Sequence, residues 1–188
     1  MRLEQGVTLI EILISLLVLS IGLLGLAGLQ VSAQQLSMDA YEQERAGLLA
    51  DYIVERIALN REARQCYGFT DPVTGGPAIG QGVEIDLTCT GFGTIATQEL
   101  AEADLAAWEQ MLEGATETLA GNNVGAMVNA RGCIWLDADA NTATIAVTWQ
   151  GEIQADAPPA SLCGANQYGD ERYRRALIRT LEFADLDA

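Results

Sequence analysis

Few residues in this chain could do chemistry, and their types exclude several common kinds of site. The 188-residue sequence contains no histidine, so neither a Ser-His-Asp nor a Cys-His catalytic site can be built. None of its four cysteines forms the C-x-x-C pair typical of a zinc site or a thioredoxin-type redox centre. We therefore expect no catalytic residue, metal site or cofactor. An even number of cysteines instead predicts two disulfides in an exported domain, with three connectivities open among Cys66, Cys89, Cys133 and Cys163.

An acidic motif, Asp137-Ala138-Asp139-Ala140-Asn141, has the D-x-D-x-N pattern with which calcium-binding loops begin. Thr142 stands where such a loop has glycine, and Thr148 stands at the twelfth position, where a bidentate carboxylate is needed. We therefore interpret the motif as a turn between two strands. Calcium held in another geometry is the alternative.

The charge of the chain argues against a nucleic-acid partner. The basic residues number 10, all of them arginine, against 26 acidic residues, so the formal net charge is -16. Binding of phosphates needs clustered basic residues that displace counterions. The local cluster Arg172, Arg174, Arg175 and Arg179 is interpreted as a charged strand edge that discourages aggregation. A salt-bridging surface to another acidic subunit is the alternative.

One carboxylate is unusual because of its surroundings. Residues 7–33 are apolar or uncharged except for Glu11. At about 1.5 Å per residue a helix of this length reaches roughly 40 Å, enough to cross a hydrocarbon core of about 30 Å. The run is too long for a cleaved secretory signal. A carboxylate in the membrane costs about 2.5–3.5 kcal/mol on insertion scales, so it usually has a partner. The alternative is that Glu11 snorkels to the interface of a plain anchor.

The residues that precede Glu11 resemble the processing motif of the type IV prepilin family. That motif is a glycine, an apolar residue and Thr-Leu-Ile-Glu, and it matches Gly6-Val7-Thr8-Leu9-Ile10-Glu11. The resemblance implies that a membrane-bound prepilin peptidase cuts between Gly6 and Val7 on the cytoplasmic side and methylates the new amine of Val7. The apolar helix is kept. The family usually has phenylalanine where this chain has Val7.

The motif has a physical interpretation. Gly6 lacks a side chain, so an extended backbone can approach the peptidase site closely. After cleavage, Glu11 of one subunit can pair with the terminal amine of a neighbour, and this pairing favours extraction from the bilayer into a filament. Gly22, Gly25 and Gly28 recur every three residues along the helix. We interpret them either as a packing or melting zone used in the filament or as ordinary small-residue packing in the membrane.

Residues 19–30, LSIGLLGLAGLQ, are similar to the PilV family of minor pilins, the type IV pilus modification proteins. This resemblance implies an α+β fold, with a long N-terminal helix packed on a C-terminal antiparallel sheet. It implies a role in priming or joining the type IV pilus used for twitching motility, together with other minor pilins, the major pilin and a tip adhesin. The chain would cross the inner membrane with a periplasmic head, and would reach the pilus or cell surface after assembly. Sequential disulfides, Cys66–Cys89 and Cys133–Cys163, are favoured, and the resemblance points the same way.

These features divide the chain into a leader (residues 1–6), a membrane-spanning filament-core helix (7–33), an extended amphipathic helix (34–65) and a disulfide-stapled head (66–188). The apolar stripe of the second helix is predicted at Leu48, Leu49, Tyr52, Ile53 and Ile57. In the head we predict a strand or extended segment over residues 83–89 and a helix capped by Thr97 that runs to about Leu119. Three further strands are predicted over residues 124–136, 142–150 and 173–183.

Two other functions remain open at this stage. A type II secretion minor pseudopilin has the same N-terminal motif. A protein of another class, a periplasmic binding or enzymatic domain on an uncleaved anchor, would keep an N-terminus at Met1 or Arg2.

Overall fold

A computed structural model describes residue 6 and residues 8–83, 85–115, 118–120, 122–123, 125–137, 141–156 and 159–183. The chain forms two compact units, Met1–Ala40 and Tyr41–Ala188. The second unit is called the head below. Helix α1 spans Leu9–Leu59 and contributes residues to both units.

From Leu9 onward the first unit is a stretch of helix that is rich in exposed apolar side chains. All its described residues up to Met38 are exposed. The most apolar 18-residue window of α1 has a mean hydropathy of 2.6 and is 0% buried. By length and composition, α1 could cross a membrane.

The head confirms the predicted α+β architecture. Its elements after α1 are a 3-10 helix (Arg64–Tyr67), β1 (Ile79–Gly80), α2 (Ile95–Leu112), β2 (Thr118–Leu119), β3 (Asn122–Asn123), β4 (Arg131–Asp137), β5 (Thr142–Gln150), a second 3-10 helix (Glu171–Tyr173) and β6 (Arg174–Glu182). The main sheet is antiparallel with strand order β1-β4-β5-β6, and β2 pairs with β3 alone.

The part of α1 inside the head packs one stripe into the core. Its buried apolar side chains follow helical spacing at Ala46, Leu49, Ala50, Ile53 and Ile57. The prediction was wrong for Leu48, which is 67% exposed because it lies on the opposite face.

The helix also ends earlier than predicted, at Leu59 instead of near residue 64. The next residue, Asn60, donates from its amide to the carbonyl of Thr97 at 2.8 Å and to the hydroxyl of Tyr67 at 3.2 Å. These tertiary bonds hold the chain as it leaves the helix.

Helix α2 begins and ends earlier than predicted. Thr94 is the N-cap, and Thr97 lies at the third helical position, where the two residues form a capping box. The helix ends at Leu112 because Gly114 has φ +73°, and a Cβ there would lie 2.1 Å from the Ala126 nitrogen. Leu119 therefore belongs to β2 and not to the helical stripe.

The strand predictions succeed best for the two long strands that pair with each other, β5 and β6. The prediction of residues 142–150 matches β5, and that of residues 173–183 differs from β6 by one residue at each end. The predicted strand at 124–136 is shorter, because its ladder begins at Arg131. The described residues of 83–89 alternate in burial as expected, but they form no strand ladder, and the sheet begins instead at Ile79.

The arginines near the C-terminus occupy different environments. Arg172 lies in the second 3-10 helix, so it does not share a strand face with Arg174. Arg174 is 3% exposed, and its guanidinium bonds Glu171 Oε2 at 2.7 Å and the carbonyls of Ser161 and Cys163. Arg179 pairs with Asp51 of α1 at 3.2 Å. The cluster thus includes one buried anchor that connects loops, which the charged-edge interpretation did not foresee.

Candidate functional site

The start of α1 carries the residues of the predicted processing motif. Gly6 and Thr8 are exposed, and Val7 lies outside the described residues. The backbone amides of Glu11 and Ile12 donate to the carbonyl of Thr8 at 3.1 and 3.3 Å, so the helix begins immediately after Thr8. Two residues, Val7 and Thr8, therefore separate the predicted cleavage point from the first helical residue, Leu9, and a Cβ placed on Gly6 would meet no described atom within 4 Å.

Glu11 occupies the first turn of α1. Thr8 and Glu11 have the spacing of a capping box, in which a threonine precedes the helix and a glutamate follows three residues later. A carboxylate at this position also interacts favourably with the positive end of the helix dipole. The Thr-Leu-Ile-Glu sequence thus favours the start of a helix at this point, through its S/T-x-x-E pattern and the position of its carboxylate.

The three serine hydroxyls within the apolar run bond to the backbone of the helix itself. Ser15 and Ser20 each donate to the carbonyl four residues earlier at 2.7 Å, and Ser32 does so at 3.3 Å. Because hydrocarbon offers no hydrogen-bond partners, such internal bonds suit a helix that lies in a bilayer.

The three spaced glycines on this helix have open surroundings. A Cβ placed on Gly22, Gly25 or Gly28 would meet no atom within 4 Å, leaving aside the backbone of the helix itself. Within the described structure nothing requires glycine at these positions, so the fold of the single chain does not explain the stripe.

The disulfides join parts of the head that are distant in sequence. Cys66 pairs with Cys89, with Cα atoms 5.3 Å apart, and Cys133 pairs with Cys163 at 5.9 Å. These are the sequential pairs favoured from the sequence. The first connects the 3-10 helix after α1 to the segment before α2, and the second connects β4 to the loop before β6.

Two tryptophans bind α1 within the head. The indole N–H of Trp108 on α2 donates to the carbonyl of Leu49 at 2.8 Å, and that of Trp149 on β5 donates to Glu42 Oε2 at 3.0 Å. Trp108 is completely buried and lies against Gly132 of β4, where a Cβ would approach its ring to 2.5 Å. The side chain of Trp108 therefore connects α2 to both α1 and the main sheet.

A buried polar cluster joins the end of α1 to α2. The hydroxyl of Tyr67 donates to Asp104 Oδ2 at 2.7 Å, and Arg56 Nε lies 3.8 Å from Asp104 Oδ1. Burial raises the pKa of Tyr67, and its hydrogen bond to Asp104 adds to that effect. Each of these groups is engaged in joining elements of the fold, so we assign the cluster a structural role.

The acidic motif lies at the hairpin between β4 and β5. Asp137 pairs with Thr142 as the last register position, and residues 138–140 lie outside the described residues. Asn141 has φ +52°, and its amide donates to the carbonyl of Phe183 at 2.7 Å. Among the residues that the structure describes, no group of three or more Cys, Asp or Glu side chains could hold a metal ion.

Comparison with known proteins gives one match. Residues 1–27 match the family model of the prokaryotic N-terminal methylation motif. No curated protein and no solved structure matches the chain. The motif supports a type IV pilin or a pseudopilin. The apolar helix, whose first residues lie within the match, fits an inner-membrane-anchored pilin. The motif implies processing by a prepilin peptidase and assembly with other pilins.

Proposed function

We propose that this chain is a minor pilin of the PilV type, which helps to prime or modify the type IV pilus. The observation that carries the proposal is the coincidence of two features. The methylation motif covers residues 1–27, and the helix within it is apolar and exposed throughout. A helix of this composition needs a bilayer or a bundle of similar helices around it. A pilin helix lies in the bilayer before assembly and in the helix bundle of the filament afterwards.

In this proposal the prepilin peptidase cuts between Gly6 and Val7 and methylates the amine of Val7. The exposure of Gly6 and Thr8 supports access by the peptidase. The leader is residues 1–6, the membrane and filament segment is 7–33, the connecting segment is 34–65 and is helical as far as Leu59, and the disulfide-stapled globular part of the head is 66–188. The protein itself is not an enzyme. Cleavage and methylation are carried out on this chain by the peptidase.

Glu11 has the central role in assembly. Its carboxylate lies on an apolar helix, and among the described residues no basic side chain forms an ion pair with it. In a filament, the methylated amine of a neighbouring subunit supplies the opposite charge. Two charges that are each costly in hydrocarbon become much less so together, and this selects one axial register.

The head supplies contacts to other pilins, and partners include the major pilin, other minor pilins and a tip adhesin. The disulfides Cys66–Cys89 and Cys133–Cys163 support a head that lies in the periplasm before assembly and on the pilus surface afterwards, since such bonds persist in oxidising compartments.

The first experiment determines the N-terminus and intact mass of the protein from cells with and without the prepilin peptidase. We expect a chain that begins at methylated Val7 only when the peptidase is present. A chain that begins at Met1 or Arg2 in both strains would overturn the proposal and favour a binding or enzymatic domain on an uncleaved anchor.

A second experiment tests Glu11 in assembly. Glu11→Gln removes the charge and should leave cleavage intact while reducing the amount of protein in sheared pili. Glu44→Gln, an exposed change further along α1, is the matched control and should behave as wild type.

A third experiment deletes the gene and scores piliation, twitching and type II secretion separately. It distinguishes a role in the type IV pilus from a role in type II secretion. Loss of secretion with intact pili would identify a pseudopilin instead.

A further inference from the structure

The head contains a pocket of about 300 Å³ on the face of the sheet that points away from α2. Residues alternate along β4, so Arg131 and Cys133 share this face, whereas Gly132 contacts Trp108 on the opposite one. Because Cys133 is bonded to Cys163, the chain just after Cys163 passes beside Arg131 and forms one wall.

The opposite wall is the turn at residues 74–78, and it is firmly placed. Gly75 has φ +72°, and a Cβ there would lie 2.2 Å from the carbonyl oxygen of Leu162. The turn therefore packs directly on the segment that leads to Cys163. Gly76, the next residue, faces open space, since a Cβ on it would meet no atom within 4 Å. Gly75 thus allows the turn to pack closely on Leu162, and Gly76 leaves open space beside the turn.

Arg131 is the feature that suggests a ligand. Its Nε is buried and has no hydrogen-bond partner among the described residues. No described carboxylate pairs with it, although acidic residues outnumber arginines 26 to 10 in this chain. Because Arg131 lines the pocket, its guanidinium can bind a planar carboxylate there through two parallel hydrogen bonds.

The remainder of the lining indicates a ligand larger than a simple anion. Thr74 and Gln167 supply a hydroxyl and an amide, which can bond hydroxyl groups, and Pro77, Ala78 and Val83 supply an apolar surface. The volume lies at the lower end of the range for small-molecule pockets, about 300–1,000 Å³. It exceeds what a carboxylate alone would fill.

We propose that this pocket binds a small polyhydroxylated carboxylate of the uronic acid class, with Arg131 holding the carboxylate. The hydroxyl groups of the ligand face Thr74 and Gln167, and its apolar ring face lies on Pro77 and Ala78. This site is independent of the pilin assignment, because it is built only from residues of the head.

The test measures binding of glucuronate to the full chain in detergent by titration calorimetry. Arg131→Gln should weaken binding about tenfold or more, as expected for loss of a charged hydrogen-bonded pair. Arg61→Gln removes the same charge from an exposed residue outside the pocket lining and should leave the affinity unchanged. Gly76→Leu keeps Arg131 but fills the open space, so it should also abolish binding. Circular dichroism verifies that each variant is folded.

Two further probes define the ligand class. The methyl ester of glucuronate lacks the charge and should bind at least about tenfold more weakly than the acid. Acetate has the charge without the hydroxyl groups and should bind more weakly than glucuronate. No binding of glucuronate to the wild-type chain, or equal binding by the Arg131→Gln variant, would overturn the proposal. Equal affinity for acetate and glucuronate would overturn the uronic acid assignment.

Discussion

Two buried glycines of the head should respond to the same substitution with opposite signs. Gly132 on β4 lies under Trp108, and an added Cβ would approach the ring atom Cη2 to 2.5 Å and Leu112 Cδ1 to 2.8 Å. Gly47 on α1 has more room, since its Cβ would lie 3.8 Å from Arg179 and 3.9 Å from Leu177. The first spacing is a clash with a large buried ring, whereas the second is ordinary van der Waals contact.

The expected magnitudes follow from these distances. Overpacking of a well-packed core costs about 1–3 kcal/mol, so Gly132→Ala should lower the free energy of unfolding by about that amount. Alanine is favoured over glycine inside a helix by about 1 kcal/mol, so Gly47→Ala should raise the free energy of unfolding by up to that amount. For a domain of about 150 residues, each 1 kcal/mol corresponds to a melting shift of roughly 2–4 °C.

The assay is urea unfolding of the full chain in detergent, followed by near-ultraviolet circular dichroism of the head. The double variant Gly132→Ala with Trp108→Phe provides the stringent test, because phenylalanine lacks the ring atoms that clash. We expect the double variant to be more stable than the sum of the two single effects by about 0.5–3 kcal/mol. Strict additivity, or a Gly132→Ala variant as stable as wild type, would refute the proposed packing of Trp108 on β4.

Three other predictions concern the bonds of the head. Replacement of both Cys133 and Cys163 by alanine should reduce the free energy of unfolding by about 3–4 kcal/mol, as measured by urea unfolding without reductant, and no loss would contradict the disulfide. Arg174→Ala removes the guanidinium that bonds Glu171 Oε2 and two loop carbonyls and should cost about 2–4 kcal/mol, whereas Arg172→Ala, at an exposed pair, should cost less than about 1 kcal/mol; similar losses in thermal melts would contradict the assigned role of Arg174. Because the pKa of Tyr67 is raised in the folded state, the unfolded chain loses that proton first, and stability should fall as pH rises above about 10. Tyr67→Phe should be less stable at neutral pH but lose less stability in that range, as urea titrations at several pH values would reveal.

The sequence was informative wherever a pattern is local. The apolar run between residues 7 and 33, broken only by Glu11, predicts a membrane-competent helix from composition alone. Strand β5 was predicted at its correct bounds because alternating apolar residues run through Thr142–Gln150. The α+β class and the sequential pairing of the cysteines were likewise predicted, and the family resemblance supported both.

Other boundaries depend on contacts that no local pattern contains. The stripe of α2 continues to Leu119 in periodicity, but the helix ends at Leu112, because Gly114 packs its backbone against Ala126, beyond the reach of the helical pattern. Residues 83–89 have the alternation of a strand, yet that pattern could not reveal that no neighbouring strand pairs with the described ones among them. A strand requires a partner, and the choice of partner is a tertiary decision.

The sequence by itself therefore determined the membrane-competent helix and the methylation motif, because both reside in one continuous segment of side chains. The tertiary structure determined the surroundings of the charged side chains in the head. It buried Arg174 as a connection between loops, and it left the Nε of Arg131 without a described partner beside a pocket. Two arginines with the same charge acquired different roles, because the energy of a charge depends on which groups the fold places around it.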